Sequence, residues 1–205
     1  MLSWAAGTGA YFGLVNLDAV PAADRAAVGL RNPGGLIPAA DFGAALIAVG
    51  MWQTLLFIAL RGWPVSTIAR RPHRLLAGNV LVIGLGALTY LVLRNRAHWP
   101  PAAIGTACGC AISAVLVVAV LFEGWPAGRL PPAVGRALTI ALTAVMAFAL
   151  DRALAFYANG VHWTRATPDQ WITTAALSYT GVGILLPVGI GLRWPFAAKT
   201  GSPDR

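Results

Sequence analysis

Charge is excluded from five long stretches of this chain, and that exclusion restricts its fold more than any other feature. Phe42–Leu60 carries no charge and closes at Arg61, and Leu75–Leu93 is equally long and uncharged between Arg74 and Arg94. Ala102–Phe122 is closed by Glu123, and Trp171–Leu192 is closed by Arg193. About 20 helical residues cross a hydrocarbon core of about 30 Å, so each of these four predicts a spanning helix. The fifth, Ala137–Leu150, stops short at Asp151-Arg152 and resumes as Ala153–Ala158. The part before the charges reaches only about 21 Å, so Ala137–Ala158 is expected to form one helix that carries two ionisable groups.

Composition agrees with these runs. Hydrophobic residues make up 58% of the 205 and charged residues 11%, against about 25% charged in soluble domains. That excludes an ordinary water-soluble domain and a disordered chain. Barrel strands would alternate apolar and polar residues, whereas these runs are apolar on every face. The expected class is an all-α, polytopic transmembrane helical bundle of five or six spans. The open number concerns Leu2–Val20, whose apolar character is broken by Asn16 and Asp18. If it crosses, there are six spans; if it lies in the interface, five. Met1–Val20 has no basic leading region, so it does not read as an ordinary signal peptide.

The formal net charge of +8 comes from 14 Arg and one Lys against six Asp and one Glu. These arginines stand singly or in small groups between apolar runs, as loop charges of membrane proteins do. No basic helix face or aromatic platform is present, so nucleic acid is not expected as a partner. One set of alternate loops holds Arg61, Arg70, Arg71, Arg74, Arg129, Arg136, Arg193, Lys199 and Arg205, nine in all. The other set holds Arg25, Arg31, Arg94, Arg96, Arg152 and Arg165, six in all. By the positive-inside rule the first set, and with it the C-terminus, is cytoplasmic. The expected location is a bacterial plasma membrane.

The chain also repeats itself. Gly62-Trp63-Pro64 and Gly124-Trp125-Pro126 each follow a span, and each is followed by an arginine, Arg74 or Arg136, at the same distance from its proline. One constant offset relates the two sets. Leu192-Arg193-Trp194-Pro195 is a looser third copy, with Arg205 again at that distance, and His98-Trp99 recurs as His162-Trp163 in the opposite loops. Tryptophan prefers the headgroup region and proline ends a helix, which accounts for each pair singly but not for the shared spacing. Tandem two-helix units joined by Trp-Pro elbows account for both. On this reading residues 1–205 form one membrane domain: an N-terminal segment 1–38, repeat units 39–98 and 99–162, and a partial third unit 163–205 with a cytoplasmic tail.

Few residues invite a chemical role. Asp151 and Arg152 lie about 10 Å from the outer end of their helix, and intramembrane charges usually face a bundle interior or a cavity. Sequence neighbours point about 100° apart on a helix, so the two are not expected to pair with each other; Arg94 and Arg96 are the expected partners of Asp151. One reading is structural, with Arg152 reaching outward and Asp151 in an ion pair. The other is a polar site in the outer half of the bundle, with Asp151, Arg152, Gln53, Arg94 and Arg96 as candidate lining. Gln53, Asn79, Tyr90, Ser178, Tyr179 and Thr180 otherwise suit interhelical hydrogen bonds.

Cys108-Gly109-Cys110 would suit a soft metal ion, but residues two apart do not share a helix face. Gly105 and Gly109 instead have the spacing of a helix contact. His73, His98 and His162 all fall in loops, so no metal or cofactor is expected. The leading functional expectation is a permease-like or accessory subunit that binds a small solute, a membrane lipid or a partner helix. Other membrane subunits, or a second copy, would meet it through Gly/Ala-rich helix faces. The alternative is an integral-membrane enzyme acting on a lipid or isoprenoid.

Overall fold

A computed structural model of the chain describes residues 2–189 apart from residues 28, 30 and 164–166. Four of its helices are long and apolar enough to cross a membrane: α3 (Ala39–Ala59), α4 (Arg71–Asn95), α5 (Pro101–Leu121) and α6 (Pro132–Asn159). They mark the chain as a membrane-embedded helical protein. Before them come α1 (Leu2–Leu14) and the short α2 (Ala22–Ala27). After them, α7 (Pro168–Thr174) continues through π-helical turns over Ala175–Thr180 into α8 (Gly181–Gly189). The expected span Trp171–Leu192 follows this last helix to Gly189. The third elbow, Lys199 and Arg205, as well as Arg165, lie outside the described residues.

Proline sets the helix starts. Pro72, Pro101, Pro132 and Pro168 all sit in first turns, where a missing N–H removes no intrahelical bond. Each helix therefore begins before the apolar run that signals it, and α4 takes in the polar stretch Arg71–Arg74. At α7 a capping box adds to this: Thr167 Oγ1 accepts from the Gln170 N–H at 3.3 Å, and Gln170 Oε1 accepts from the Thr167 N–H at 3.1 Å.

Leu2–Val20 is not one continuous helix. α1 covers 13 residues, about 20 Å, and then β1 (Val15–Asn16) pairs in parallel with β2 (Ile37–Pro38). Asn32 ties this knot together. Its Oδ1 accepts from the backbone N–H groups of Leu17 and Gly34, and its Nδ2 donates to Asp18 at 2.6 Å. The Asn16 side chain donates to the Gly35 carbonyl. The polar residues that break the apolar stretch are thus the ones that fold it back locally.

The bundle is organised around α5. Over its most apolar 18 residues α5 is 56% buried, against 17% for each of α3, α4 and α6. Its sequence explains why: Gly105, Ala107, Cys108, Gly109, Cys110, Ser113 and Ala114 are small enough for neighbours to approach on several sides. α3 packs against both α4 and α5, and α5 also packs against α6 and α7. Gly105 faces Ile47 and Thr173, and Gly109 faces Leu177 and Thr173, so the glycine spacing does serve helix contact. Cys108 packs with Ala44 and Ala48 of α3, whereas Cys110 packs with Ala158, Ile172 and Ala176. The two thiols therefore sit on different faces.

The two Gly-Trp-Pro segments build elbows of the same geometry. α3 and α5 both end in π-helical turns, over Thr54–Ala59 and Val117–Leu121. In the first elbow the N–H groups of Leu60, Gly62, Trp63, Ser66, Thr67 and Ile68 donate to the carbonyls of Leu55, Leu56, Leu60, Gly62, Pro64 and Val65. In the second, Phe122, Gly124, Trp125, Gly128, Arg129 and Leu130 donate to Val117, Val118, Phe122, Gly124, Pro126 and Ala127. Every donor and every acceptor is displaced by the one interval that separates Gly62 from Gly124. Both Trp-Pro peptide bonds are cis, and Arg61 and Glu123 share a φ of 53°. Gly62 and Gly124 follow at φ 83° and 73°, a region where glycine lacks the Cβ penalty of other residues.

Candidate functional site

The charged pair inside α6 departs from the sequence expectation. Arg152 donates through Nε to Asp151 Oδ2 at 2.9 Å, and its Nη2 bonds the same oxygen. The Cβ atoms of neighbouring residues do diverge, but the guanidinium stands at the end of a flexible arm and folds back along the helix surface. It also lies over the ring of Phe148, 5.6 Å from the centroid, one turn away on the same face. Arg152 keeps 65% of its side chain exposed and Asp151 only 21%.

The expected outer arginines go elsewhere. Arg94 pairs with Asp41 at 3.3 Å, and the Tyr90 hydroxyl donates to the same carboxylate oxygen. This cluster fastens the start of α3 to the end of α4. Arg96 is exposed just beyond the last turn of α4, and Gln53 is exposed on the outer surface of α3. Of the five candidate lining residues, only Asp151 and Arg152 come together. Asn79 bonds back to the Leu75 carbonyl of its own helix, and the side chains of Tyr179 and Thr180 lie outside the described residues.

Asp151 and Arg152 border a cavity of about 570 Å³ between α5, α6, the Trp99-Pro100 corner and the start of α7. Ala103 and Ala107 of α5 and Ala147 of α6 contribute small side chains, which leave the space open. Trp99 and Phe148 supply aromatic walls, and Asp169 adds a second carboxylate. The Thr106 hydroxyl stands 2.9 Å from the Asp169 carbonyl oxygen and 3.1 Å from Thr173 Oγ1, so it fixes α7 against α5 at the cavity edge. The cavity carries two carboxylates against one guanidinium, and that guanidinium is already engaged. Its volume lies in the range typical of small-molecule pockets.

Four residues escaped the sequence reading. Asp169 had a legible signal, the Thr-x-x-Gln capping box that places it in a first helical turn. Trp99 reads in the sequence only as an interfacial anchor, and Phe148 only as part of an apolar run. Asp41 falls one residue before the apolar run beginning at Phe42, and nothing local shows that it reaches across to α4.

No group of three or more His, Cys, Asp or Glu side chains among the described residues is placed to hold a metal ion. His73, His98 and His162 are exposed, and Cys108 and Cys110 are buried. No protein-family model, curated protein or solved structure matches the chain.

Proposed function

We propose that this chain is a multi-pass protein of a bacterial plasma membrane that holds a small amphiphilic solute bearing a positive charge, acting as a permease-like or accessory subunit. The carrying observation is the cavity of about 570 Å³ bordered by the Asp151–Arg152 pair. Aromatic walls favour the face of an organic cation, and Asp169 leaves the cavity with one carboxylate in excess of its guanidinium. An enzyme using Asp151 as an acid would need that carboxyl free to exchange a proton. Its engagement by Arg152 favours binding over catalysis.

We also read the architecture as tandem two-helix units, α3–α4 and α5–α6, with the helix from Pro168 to Gly189 opening a third and providing a fifth span. The shared elbow hydrogen bonds support this reading. It also explains where the cavity lies. Both ends of α5 are displaced from those of α3 by the same interval as the elbows, so the counterpart of Asp41 is Ala103. In the first unit Asp41 bridges to Tyr90 and Arg94; in the second a methyl group stands at that position and lines the cavity. The arginine count puts the elbows and the C-terminus on the cytoplasmic side, with the cavity opening in the outer half.

The test is a titration of the purified protein in nanodiscs with tetraphenylphosphonium, followed by quenching of tryptophan fluorescence. Saturable quenching is expected, lost in Trp99→Phe and weakened severalfold in Asp169→Asn and Phe148→Ala. Tetraphenylborate has the same shape and opposite charge. If it saturates the site equally well, or if Asp169→Asn and Phe148→Ala bind as the wild type does, the reading fails.

A further inference from the structure

A second cavity, of about 320 Å³, lies at the other end of the bundle, between the two elbows. Arg61, Trp63 and Ser66 of the first elbow line it, together with Glu123 of the second and Arg136 from the first turns of α6. Arg136 reaches across to the first elbow, and its guanidinium carbon stands 4.9 Å from the centroid of the Trp63 ring. A cation–ring contact of this kind uses none of the guanidinium N–H groups as conventional hydrogen-bond donors.

Those donors have no acceptor within the described residues. The ion pairs there are Asp41 with Arg94 and Asp151 with Arg152, and neither Arg61 nor Arg136 takes part in them. Two guanidiniums therefore face a space whose one carboxylate, on Glu123, leaves a positive excess. Unlike an exposed loop arginine, Arg136 is half-buried, and its ring contact holds it in one orientation. A ligand that completes this site must be anionic, rich in acceptor oxygens and small. A phosphate group has that chemistry, and arginine forks match it with paired hydrogen bonds.

We propose that the elbow cavity is a phosphate-binding site formed by Arg61 and Arg136, with Trp63 orienting Arg136. The phosphate is carried either by the headgroup of an anionic lipid, which reaches the ends of α3 and α5 from the membrane surface, or by a soluble phosphate. This site is separate from the outer cavity and stands whether or not that cavity takes a cation.

Thermal unfolding of the purified protein in detergent micelles tests it, with dioctanoyl phosphatidylglycerol, dioctanoyl phosphatidylcholine and inorganic phosphate as three separate additions. Phosphatidylglycerol is expected to raise the unfolding temperature in a saturable way, and phosphatidylcholine is not. Arg61→Gln or Arg136→Gln should each weaken the apparent affinity about tenfold or more, the cost of one charge-assisted hydrogen-bonding group. Arg70→Gln and Arg74→Gln remove the same charge from the same end but outside the cavity, and should leave the response intact. A response to phosphatidylglycerol alone assigns the lipid headgroup; a response to inorganic phosphate assigns a soluble source. If Arg136→Gln does not fold, Arg61→Gln, whose side chain is exposed at the cavity rim, carries the test. Equal responses in the wild type and the cavity variants would overturn the site, as would equal losses in the Arg70 and Arg74 variants.

Discussion

Gly84 and Gly86 are near neighbours in α4, yet the same methyl group should act oppositely at the two positions. A Cβ at Gly86 would lie 2.5 Å from Val49 Cγ2, 2.6 Å from Val49 Cα and 2.8 Å from the Val49 nitrogen. Two of those atoms are α3 backbone and cannot turn aside. Ordinary carbon contacts lie at about 3.5–4.0 Å, so α3 and α4 would have to part by about 1 Å locally. Overpacking of this kind costs about 1–3 kcal/mol. The bond from Trp52 Nε1 to Thr89 Oγ1, 2.9 Å long and one turn away, would stretch as well, at about 0.6 kcal/mol for a hydrogen bond of this class. Exchanging glycine for alanine recovers up to about 1 kcal/mol of helix propensity. Together these terms leave Gly86→Ala destabilised by about 0.5–2.5 kcal/mol. At Gly84 nothing among the described residues beyond its own helical turn stands within 4 Å of an added Cβ, so Gly84→Ala should be neutral or stabilising. Reversible unfolding in mixed micelles at increasing SDS fraction would measure both. Equal stability of the two variants would refute the close approach of α3 and α4.

Two further outcomes follow from burial. Thr143 is 6% exposed and its hydroxyl has no hydrogen-bond partner among the described residues, whereas Thr139, one turn away, donates to the Gly135 carbonyl at 2.9 Å. Thr143→Val should therefore stabilise by about 1 kcal/mol or more, because it removes an unmet polar group at nearly constant shape. Thr139→Val should not, and the same unfolding assay separates the two. Cys108 and Cys110 are both almost fully buried, so N-ethylmaleimide should label neither in the folded protein and both after denaturation in SDS, as read by mass spectrometry.

Much of this architecture was written in the spacing of charge. The apolar runs locate α3, α4, α5 and α6, and the misplaced starts trace to proline: α4 begins at Arg71 rather than Leu75 because Pro72 tolerates a first turn among arginines. The elbows were legible as a recurrence at constant offset, and their hydrogen bonds recur at that same offset. Asp151 announced itself as a charge where lipid should be. Its partner did not, because pairing depended on the path of the Arg152 arm and not on the direction of its Cβ. Asp41 was invisible for a related reason, since its meaning lies in a contact to Tyr90 and Arg94 at the far end of another helix. Gln53, central in its run, faces outward; a run that is apolar on every side gives no phase from which to read the inner face.

The central position of α5 bears on how such a chain can change over time. By mean hydropathy α5 and α4 are near neighbours, at 2.4 and 2.0, and a composition-based comparison would treat them alike. Around α4 only 17% of the most apolar window is buried, so most substitutions there displace no packed neighbour. Around α5 they meet helices already in contact, where an added methylene has no room. Lineages descended from this chain should therefore drift freely along α4, trading one apolar residue for another. Along α5 they should keep side-chain size even where hydrophobicity alone would permit exchange.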